Sequence, residues 1–567
     1  MHFFTLNPAD PKIFGFAEYI AALALMVLAW TTVDYRYRFR VETARYDIRR
    51  MAFAAVWIIG VLTLVTDVWR ASGWPVWEWG PITPVVWQGL LGLAFLATFM
   101  TWALVAFVRP PKFNEGNADR FQRAVILEIK GGDKAHIALM ADALVPSAPS
   151  IVRLLSQRRP SAEQLLSLLS DPVVCSVLVT RSPALLAALY EELHRLPVNS
   201  RATYSLTTNV LSAAVAEGDS FLHREVRDWT RGAASSTQPV TRTVFRNLDL
   251  LDQMPGIFNA PDASQWQLPQ WRAFFRAAGM TLGHYITLAD TGRLTHSFAV
   301  DNIFEVLKAA PGHVRLNLAS GQIGRQEAAA VLRELILLIK EVSDRISDTT
   351  VEMSAWRGLG EYHNPIQHLA RVAYHILLAA SYVKAPAGEA WHFGYGIAWS
   401  GIFDPFKRKA PEKAFTEVQE LVARMVWLTI TELDRTPNFY GAQLLALCIN
   451  IGLITEAPPS RDKGQIKPSD ALLRLVTGWL RRRFAWLYNY NPTLAVAGFA
   501  DGVSYNKERR LIIRERAATA FDQGPRHTSF AVRAAPRGSA AGHLLGKRTR
   551  PFSPPNNRRK IPDWPWF

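Results

Sequence analysis

The chain has 567 residues, a formal net charge of +16 and a mean hydropathy close to zero. That length exceeds one ordinary core, so two or three structural units are expected, and the hydropathy excludes a protein made only of membrane helices. The two cysteines, Cys175 and Cys448, lie far apart in the sequence. They exclude a disulfide framework and a cysteine-based metal cluster.

Three apolar stretches near the N-terminus predict membrane-crossing helices at about residues 14–33, 51–69 and 85–108. A bilayer crossing needs roughly 20 apolar residues. Buried helices of a soluble protein are the alternative for all three, and a cleaved signal peptide is the alternative for the first. Nearby tryptophans are typical of a membrane interface; they are Trp69, Trp74, Trp77, Trp79 and Trp87.

The loop between the first two stretches is strongly basic. It carries Arg36, Arg38, Arg40, Arg45, Arg49 and Arg50. By contrast, the only lysine or arginine in residues 67–84 is Arg70, and the only one in the N-terminal tail is Lys12. Arginine-rich short loops stay in the cytoplasm. The pattern therefore predicts an N-terminus outside, a cytoplasmic C-terminal region, and an inner (plasma) membrane protein that crosses the bilayer several times.

Residues 35–41 alternate aromatic and arginine side chains, which is strand periodicity. An isolated strand at a bilayer would need pairing partners, so the favoured interpretation is a continuation of the first helix to about residue 45. Its arginines would then reach anionic headgroups. No charged residue lies in the middle of a predicted span, which argues against a transporter.

Residues 111–120 form a Pro- and Gly-containing connector, and residues 121–521 show helical periodicity punctuated by Pro and Gly. The fold class expected is therefore all-α and membrane-anchored. Short helices between 135 and 200 suggest a solenoid, but no fixed repeat length is visible, so a compact irregular domain is equally favoured. A subdivision near 231–240 is predicted from loop composition, which a surface loop would also explain.

Residues 522–567 are rich in Pro, Gly, Ser and Arg, and they contribute nine basic residues against two acidic ones. Such a composition predicts a disordered tail, since it buries too little apolar surface to offset the chain entropy lost on folding. Its basic residues, including Lys547 and Arg548, are candidates for contact with anionic lipid or nucleic acid.

The segment EYHNPIQHLARVAYH and the residues after it supply a candidate catalytic or metal-binding cluster: Glu361, His363, His368, His375 and His392. Imidazoles and a carboxylate could hold a metal ion. However, His368 and His375 lie seven residues apart on one helix, about 10 Å along its axis, which is too far for one ion. Ordinary helix histidines are the favoured interpretation, and no metal or cofactor is expected.

Two further segments combine aromatic and other distinctive residues. Residues 390–406 are aromatic and Gly-rich, which fits packing on the helical core better than a ligand groove. In WLRRRFAWLYNYNP, Arg481, Arg482 and Arg483 adjoin aromatics on an amphipathic helix. Such a surface could contact anionic lipid or nucleic acid, although a solvated basic turn is the favoured interpretation.

These patterns predict a membrane-tethered cytoplasmic interaction, sensor or scaffold protein. Its expected partners are the lipid bilayer, with anionic headgroups, and a protein partner or a second copy of the chain. One alternative is a tethered, hydrolase-like enzyme with a site in residues 361–392. A further alternative is a membrane protein that binds nucleic acid through its basic C-terminal segment.

Overall fold

The computed structural model describes residues 3–5, 12–32, 35–77, 83–108, 110–196, 198, 200–230, 239–253, 258, 263–292, 296–358, 364–403, 413–453, 467–515 and 527–534. The chain divides into two compact units. Unit 1 contains residues 1–313 and 348–355, and unit 2 contains residues 314–347 and 356–567. The predicted all-α class is confirmed, whereas the small sheets described below were not predicted. The predicted subdivision near 231–240 falls largely on residues outside this description and stays a prediction.

Unit 1 begins with long apolar helices joined by short segments. In chain order these elements are β1 (Phe3–Thr5), α1 (Phe16–Thr32), α2 (Tyr35–Glu42), α3 (Ile48–Ala71), β2 (Pro75–Trp77) and α4 (Pro84–Ala103), which continues as a π-helical turn, Leu104–Val108. Asp47 caps α3 by accepting from the backbone N–H of Arg50, and Thr83 caps α4 by accepting from Val86. Both helices therefore begin at residues whose side chains satisfy otherwise unpaired backbone donors.

Among the described residues, three helices are long and apolar enough to cross a membrane: Ile48–Ala71, Val85–Val108 and Lys134–Ser156. The first two coincide with the second and third predicted spans. Helix α1 has 17 residues, which gives about 25 Å of helix, slightly shorter than a typical hydrocarbon core. The segment Lys134–Ser156 consists of two helices joined by a 3₁₀ turn. It was not predicted as a span, and its surroundings differ from those of α3 and α4.

The apolar side chains of α1, α3 and α4 are largely exposed. Leu25 and Trp57 are each 69% exposed, and Leu93 is 61% exposed. Only 28% of the most apolar stretch of α3 and 22% of that of Val85–Val108 are buried, against 56% of that of Lys134–Ser156. No large hydrophobic side chain of Lys134–Ser156 is exposed. Helices α1, α3 and α4 therefore present apolar surface outward, and Lys134–Ser156 turns its apolar surface inward.

A close contact joins α1 to α3. The Tyr19 hydroxyl donates to the carbonyl oxygen of Val56 at 2.9 Å, and the Tyr19 ring lies against Gly60. A Cβ atom on Gly60 would come within 2.6 Å of that ring. Phe95 of α4 completes the cluster, with its ring centroid 5.9 Å from that of Tyr19. Glycine at position 60 is thus required for this approach.

At one end of these helices, hydrogen bonds join the segment around the start of α1 to helices α3 and α4. Asp67 accepts from the backbone N–H of Phe16 at 2.9 Å, and Gln88 accepts from Ile13 at 3.1 Å. Strands β1 and β2 pair antiparallel, with Phe4 opposite Val76. Asp67 from α3 therefore serves as the cap of α1, and the segment preceding α1 lies at the same end of the helices as the segment between α3 and α4.

The arginine-rich segment at the other end is helical. Phe39 of α2 is 2% exposed and packs edge-on against Phe121, with ring centroids 6.1 Å apart. The alternative of a strand over residues 35–41 is wrong, because helical spacing brings Tyr37 against Phe107 and pairs Arg38 with Glu42. Buried aromatic contacts stabilise the helix, and the alternation of residue types does not reflect a two-sided strand.

The next helices form groups of three. They are α5 (Ala118–Gly131), α6 (Lys134–Leu144) and α7 (Ala148–Ser156); α8 (Pro160–Leu169), α9 (Pro172–Thr180) and α10 (Pro183–Arg195); and α11 (Arg201–Ala216), α12 (Phe221–Thr230) and α13 (Pro239–Phe245). A short 3₁₀ turn, Val145–Ser147, joins α6 to α7. The first helix of each group begins 42 and then 41 residues after its predecessor, from starts at 118, 160 and 201.

Each helix in these groups packs on its equivalent in the next group. Helix α8 contacts both α5 and α11, α9 contacts α6 and α12, and α10 contacts α7 and α13. The second helix of the first two groups starts at a capping aspartate: Asp133 accepts from Ala135 and Asp171 from Val173, each at 2.8 Å. Residues 118–245 are therefore a stack of three three-helix repeats, and stacked repeats bury one continuous core.

The remaining helices of the chain follow in order. They are α14 (Leu248–Gln253), α15 (Leu268–Asp290), α16 (Phe298–Ala319), α17 (Arg325–Ser347), α18 (Met353–Gly358), α19 (Pro365–Ser381), α20 (Ala387–Trp391), the π-helix His392–Trp399, α21 (Ser400–Phe403), α22 (Lys413–Glu432), α23 (Phe439–Gly452), α24 (Pro468–Tyr490) and α25 (Pro492–Ala495). A 3₁₀ turn at Ala263–Gln265 precedes α15. In unit 2, α22 packs on α17, α19, α23 and α24, so it occupies the centre of that unit.

Unit 2 also contains an antiparallel sheet of β3 (Val503–Asn506), β4 (Leu511–Glu515) and β5 (His527–Ala531), in the order β3-β4-β5. Ile512 lies opposite Tyr505 on one side and Phe530 on the other. Strand β5 falls within residues 522–567, where a disordered tail was predicted. That prediction is wrong for residues 527–531, since pairing with β4 satisfies their backbone; residues 535–567 lie outside the described chain.

Candidate anion-binding groove

The described histidines of the candidate cluster lie in separate surroundings. His368 is 4% exposed on the core side of α19, and His375, half-buried on the same helix, has its ring centroid 5.6 Å from that of Tyr374. His392 lies in the π-helix, with its Nε2 3.1 Å from an Nη2 of Arg333. A guanidinium can only donate, so the ring nitrogen is the acceptor in this contact. Glu361 and His363 lie outside the described residues.

No group of three or more His, Cys, Asp or Glu residues with metal-binding geometry occurs among the described residues. The interpretation of ordinary helix histidines fits His368, which is held in the core of an apolar helix. Helix α19 itself begins at Asn364, whose side chain accepts from the backbone N–H of Ile366 at 2.9 Å. Packing therefore accounts for the position of His368, and capping accounts for the start of α19.

The aromatic segment 390–406 is described up to residue 403 and is mostly core. Phe393, Trp399 and Phe403 are between 1% and 4% exposed, which confirms the packing interpretation for these rings. A cavity of about 20 Å³ lies beside Gly394, with Ser381 and Asn450 among its lining residues. That volume holds about one water molecule. This cavity therefore has no room for a larger ligand.

The arginines of α2 have structural contacts. Arg40 donates from Nη1 to the carbonyl oxygen of Ala106 at 3.1 Å, which satisfies a backbone acceptor in the π-helical turn after α4. Arg38 forms an exposed ion pair with Glu42 at 3.1 Å. The side chain of Arg36 is not among those described. Lys547 and Arg548 also lie outside the described residues, so their predicted anion contacts stay predictions.

The arginines of α24 lie in a different setting, at a wide open groove in unit 2. The groove has a volume of about 520 Å³ and is lined by Asp434, Trp479, Arg482, Arg483, Arg533 and Ala534. Arg481 is absent from this lining, and its guanidinium lies 5.3 Å from the ring centroid of Phe530. The structure therefore separates the three consecutive arginines into one that packs on the sheet and two that face the groove.

Helix α24 places these residues through its amphipathic pattern. Trp479, Leu480 and Phe484 are buried, and the three arginines between them occupy the exposed turn. Arg533 reaches the same place because the segment after β5 crosses the helix, with the backbone N–H of Arg533 donating to the carbonyl oxygen of Arg481 at 2.8 Å. Asp434 follows the C-terminal end of α22.

The groove carries a surplus of positive charge. Three arginines and one aspartate are among the lining residues, which gives these residues a net charge of +2. The Arg483 Nε lies 3.6 Å from Oδ1 of Asp434, an ion pair too long for a good hydrogen bond. Both side chains keep contact with water, at 50% and 32% exposure. Such a pair is weak, so the guanidinium donors stay available to a bound anion.

Sequence reasoning identified Arg482 and Arg483 but missed Arg533 and Asp434. Arg533 was assigned to a disordered tail because the region is rich in Pro, Gly and Arg. The alternation in HTSFAV, residues 527–532, was the available signal, since it is typical of a strand. Nothing in the local sequence around Asp434 indicates that it faces an arginine cluster.

No family model, no curated protein and no solved structure matches this chain.

Proposed function

We propose that this is a multi-pass inner-membrane protein in which α1, α3 and α4 cross the bilayer and the following helices form a cytoplasmic interaction scaffold. The observation that carries the proposal is the outward-facing apolar surface of those three helices, with Leu25, Trp57 and Leu93 all more than 60% exposed. Removing one such side chain from water is worth roughly 1.5–3 kcal/mol. A bilayer provides that environment for all of them at once.

The helix Lys134–Ser156 is excluded from the proposed spans despite its length and composition. It lies within the first repeat, and its apolar face is covered by the neighbouring helices. Asp142, near its middle, accepts from the Ser182 hydroxyl at 2.5 Å. A charged group at that position is costly in lipid, whereas between repeats it has a partner.

Contacts at the two ends of the apolar helices support three crossings and the orientation with the N-terminus outside. Pairing of β1 with β2 keeps the N-terminus beside the segment between α3 and α4. At the other end, the side-chain amide of Asn117 donates to the carbonyl oxygen of Thr43 at 3.2 Å, so the repeats lie beside the arginine-rich segment. Because arginine-rich segments resist translocation, that end is assigned to the cytoplasm.

The repeat stack supports a scaffold role. Repeats that contact their neighbours in series create extended surfaces, which such proteins commonly use to bind partners. The hydrolase alternative gains no support, since His368, His375 and His392 have unrelated surroundings. The proposed partners are therefore the bilayer for α1, α3 and α4 and a protein, including a second copy of the chain, for the repeats.

Reporter fusions test the topology. A reporter active only in the cytoplasm should be active when fused after Arg120 and inactive when inserted within residues 72–80, while a reporter active only outside should give the opposite pattern. Immunoblots confirm equal expression of the fusions. Activity of the cytoplasmic reporter at both positions, or recovery of the chain in the soluble fraction, would refute the proposal.

Replacing the six arginines between residues 36 and 50 by asparagine should mix the two orientations, because lysine and arginine in short loops set orientation. As a control, only Arg40 is replaced, which removes the contact with Ala106 but leaves five charges. The control should keep the wild-type orientation. An unchanged orientation in the six-fold variant would contradict the assignment of this end to the cytoplasm.

A further inference from the structure

The groove on unit 2 has the composition of an anion site. Its three arginines come from two separate segments, α24 and the chain after β5, and line the same groove as one carboxylate. Like charges gathered this way repel one another unless an anion or solvent compensates them. Among the described residues, the ion pair of Asp434 is with Arg483, at 3.6 Å. The lining therefore holds more positive charge than its own carboxylate neutralises.

The side chains suit a phosphate group in particular. A guanidinium is planar and presents paired N–H donors that match two phosphate oxygens. Its charge also persists at any physiological pH, so the groove keeps its surplus of +2 from three arginines and one aspartate. A phosphate monoester carries nearly two negative charges at neutral pH. The charges of groove and ligand therefore balance.

The size of the groove admits more than an inorganic ion. Its volume of about 520 Å³ lies within the range of small-molecule sites, roughly 300–1,000 Å³. Trp479 is 3% exposed and contributes apolar surface to the lining, although its indole nitrogen is buried and is not counted among the donors. The open side of the groove leaves room for the organic part of a phosphate ester.

We infer that Arg482, Arg483 and Arg533 form a binding site for the phosphate group of a phosphorylated small ligand, either a soluble phosphate ester or a lipid headgroup. Asp434 weakens the site by competing for Arg483. This inference goes beyond the scaffold proposal and does not depend on it, because every residue involved lies in unit 2 and no membrane crossing is required.

Calorimetric titration of the full-length protein with inorganic pyrophosphate tests the site, with the protein in nanodiscs of phosphatidylcholine. Wild type should bind saturably. Arg482→Gln and Arg533→Gln should each weaken binding at least about tenfold, since each removes a charge-assisted hydrogen bond. The control is Arg509→Gln, which removes the same charge from the exposed β3–β4 turn and should leave the affinity unchanged.

The variant Asp434→Asn separates a binding role from structural damage. Removing the competing carboxylate should tighten pyrophosphate binding about fivefold, corresponding to a weak surface ion pair. A variant that merely disturbed the fold would bind more weakly. Weaker binding by Asp434→Asn, equal losses in Arg509→Gln and Arg482→Gln, or no saturable binding by wild type would overturn the inference.

Nanodiscs that also contain phosphatidic acid identify the source of the phosphate. If a headgroup occupies the groove, pyrophosphate should bind wild type more weakly in these discs, by competition, and the difference should disappear in Arg482→Gln. Equal affinity in both discs assigns the site to a soluble phosphate ester. Binding of single-stranded DNA that depends on Arg482, without pyrophosphate binding, would replace the inference with a nucleic-acid surface.

Discussion

Two helical regions of unit 1 have similar apolar composition and opposite surroundings. Helix α3 and the repeat segment Lys134–Ser156 are both long and apolar enough to cross a membrane. Yet 28% of the most apolar stretch of the first is buried, against 56% of that of the second. The comparison teaches that composition identifies an apolar helix, while the location of its neighbours decides whether protein or lipid must cover it.

The polar side chains in these two helices show the same contrast. In α3 the Thr63 hydroxyl donates to the carbonyl oxygen of Ile59 at 2.7 Å, so it is satisfied within its own helix. In the repeat segment Asp142 accepts from Ser182 of the following repeat. A buried polar group can therefore be satisfied within its own helix, as in Thr63, or by a neighbouring repeat, as in Asp142.

The largest expected effect comes from the repeat core. Leu166→Ala should lower the free energy of unfolding by about 2–5 kcal/mol, because Leu166 is fully buried in α8 and its truncation leaves a cavity. Leu93→Ala, at an outward-facing position of α4, should change it far less. Urea unfolding in detergent micelles, followed by circular dichroism, measures both. Equal losses would show that α4 is packed as tightly as the repeats.

An introduced arginine should be more harmful on the outward-facing side of α4 than on the exposed surface of the repeats. Leu93→Arg should disfavour membrane insertion by about 2.5–3.5 kcal/mol, the penalty for arginine near the centre of a span. Its control is Leu127→Arg on α5, since Leu127 is 65% exposed and Leu93 is 61% exposed. The fraction of protein resistant to carbonate extraction reports insertion. A similar loss for both variants would remove the distinction between lipid-facing and water-facing leucines.

Overpacking should separate α1 from α3. Gly60→Leu places atoms where the Tyr19 ring lies and should destabilise this contact by about 1–3 kcal/mol. Gly89→Leu on α4 serves as the control, because a Cβ atom at Gly89 would meet no neighbouring atom within 4 Å. Thermal unfolding in micelles compares the two variants. Adding Tyr19→Ala to Gly60→Leu should restore part of the loss, and no restoration would argue against this contact.

Loss of a repeat cap should have a moderate effect. Asp171→Ala should destabilise the second repeat by about 1 kcal/mol, because the first backbone donors of α9 lose their acceptor. Asp171→Asn keeps a side-chain oxygen at that position and should retain most of the stability. Urea midpoints measure both variants. A loss in Asp171→Asn as large as that in Asp171→Ala would attribute the effect to charge.

The smallest predicted effect depends on pH. Burial raises the pKa of Glu225 above its ordinary value of 4.5, despite hydrogen bonds from Thr241. A raised carboxyl pKa stabilises the fold below pH 4.5 and loses that contribution as pH rises through the folded value. Glu225→Gln should therefore flatten this part of the pH dependence of unfolding. An unchanged profile would show that Glu225 does not contribute.

Much of the fold could be predicted because periodicity and length are local properties. The second and third apolar helices are where the sequence places them, and α2 is helical because Phe39 and Tyr37 find partners on one side of a helix. The alternation of arginine and aromatic residues is compatible with a strand as well as with a helix, because the sequence does not show where those packing partners lie. Deciding between helix and strand required knowing that Phe121, far along the chain, covers Phe39.

A solenoid was one of two equally favoured interpretations, but the repeat length escaped prediction because the spacing of the helices varies. Their first helices start 42 and 41 residues apart, but the prolines that open their third helices, Pro149, Pro183 and Pro239, are separated by 34 and then 56 residues. The unequal spacing of those prolines hides a fixed period. Aspartate caps before the second helix, at Asp133 and Asp171, were the more regular signal.

The groove could be predicted only in part. Arg482 and Arg483 stand out as a basic turn between buried aromatics, which a helical pattern reveals. Arg533 and Asp434 reach the groove through contacts between distant segments, including the hydrogen bond from Arg533 to Arg481. Charge balance at a surface depends on such contacts, so sequence order alone could not distinguish a solvated turn from a site.

The burial of Phe39 has a consequence for synthesis of the chain. Its partner Phe121 follows α4 and also packs against Phe113, with ring centroids 5.6 Å apart. While the ribosome is still producing α4, Phe39 therefore lacks the Phe121 ring, although α1 and α3, on either side of α2, have already been made. The contact between α2 and α5 that helps to bury Phe39 forms only after residue 121 has been synthesised. A nascent chain arrested before that point leaves Phe39 without this contact.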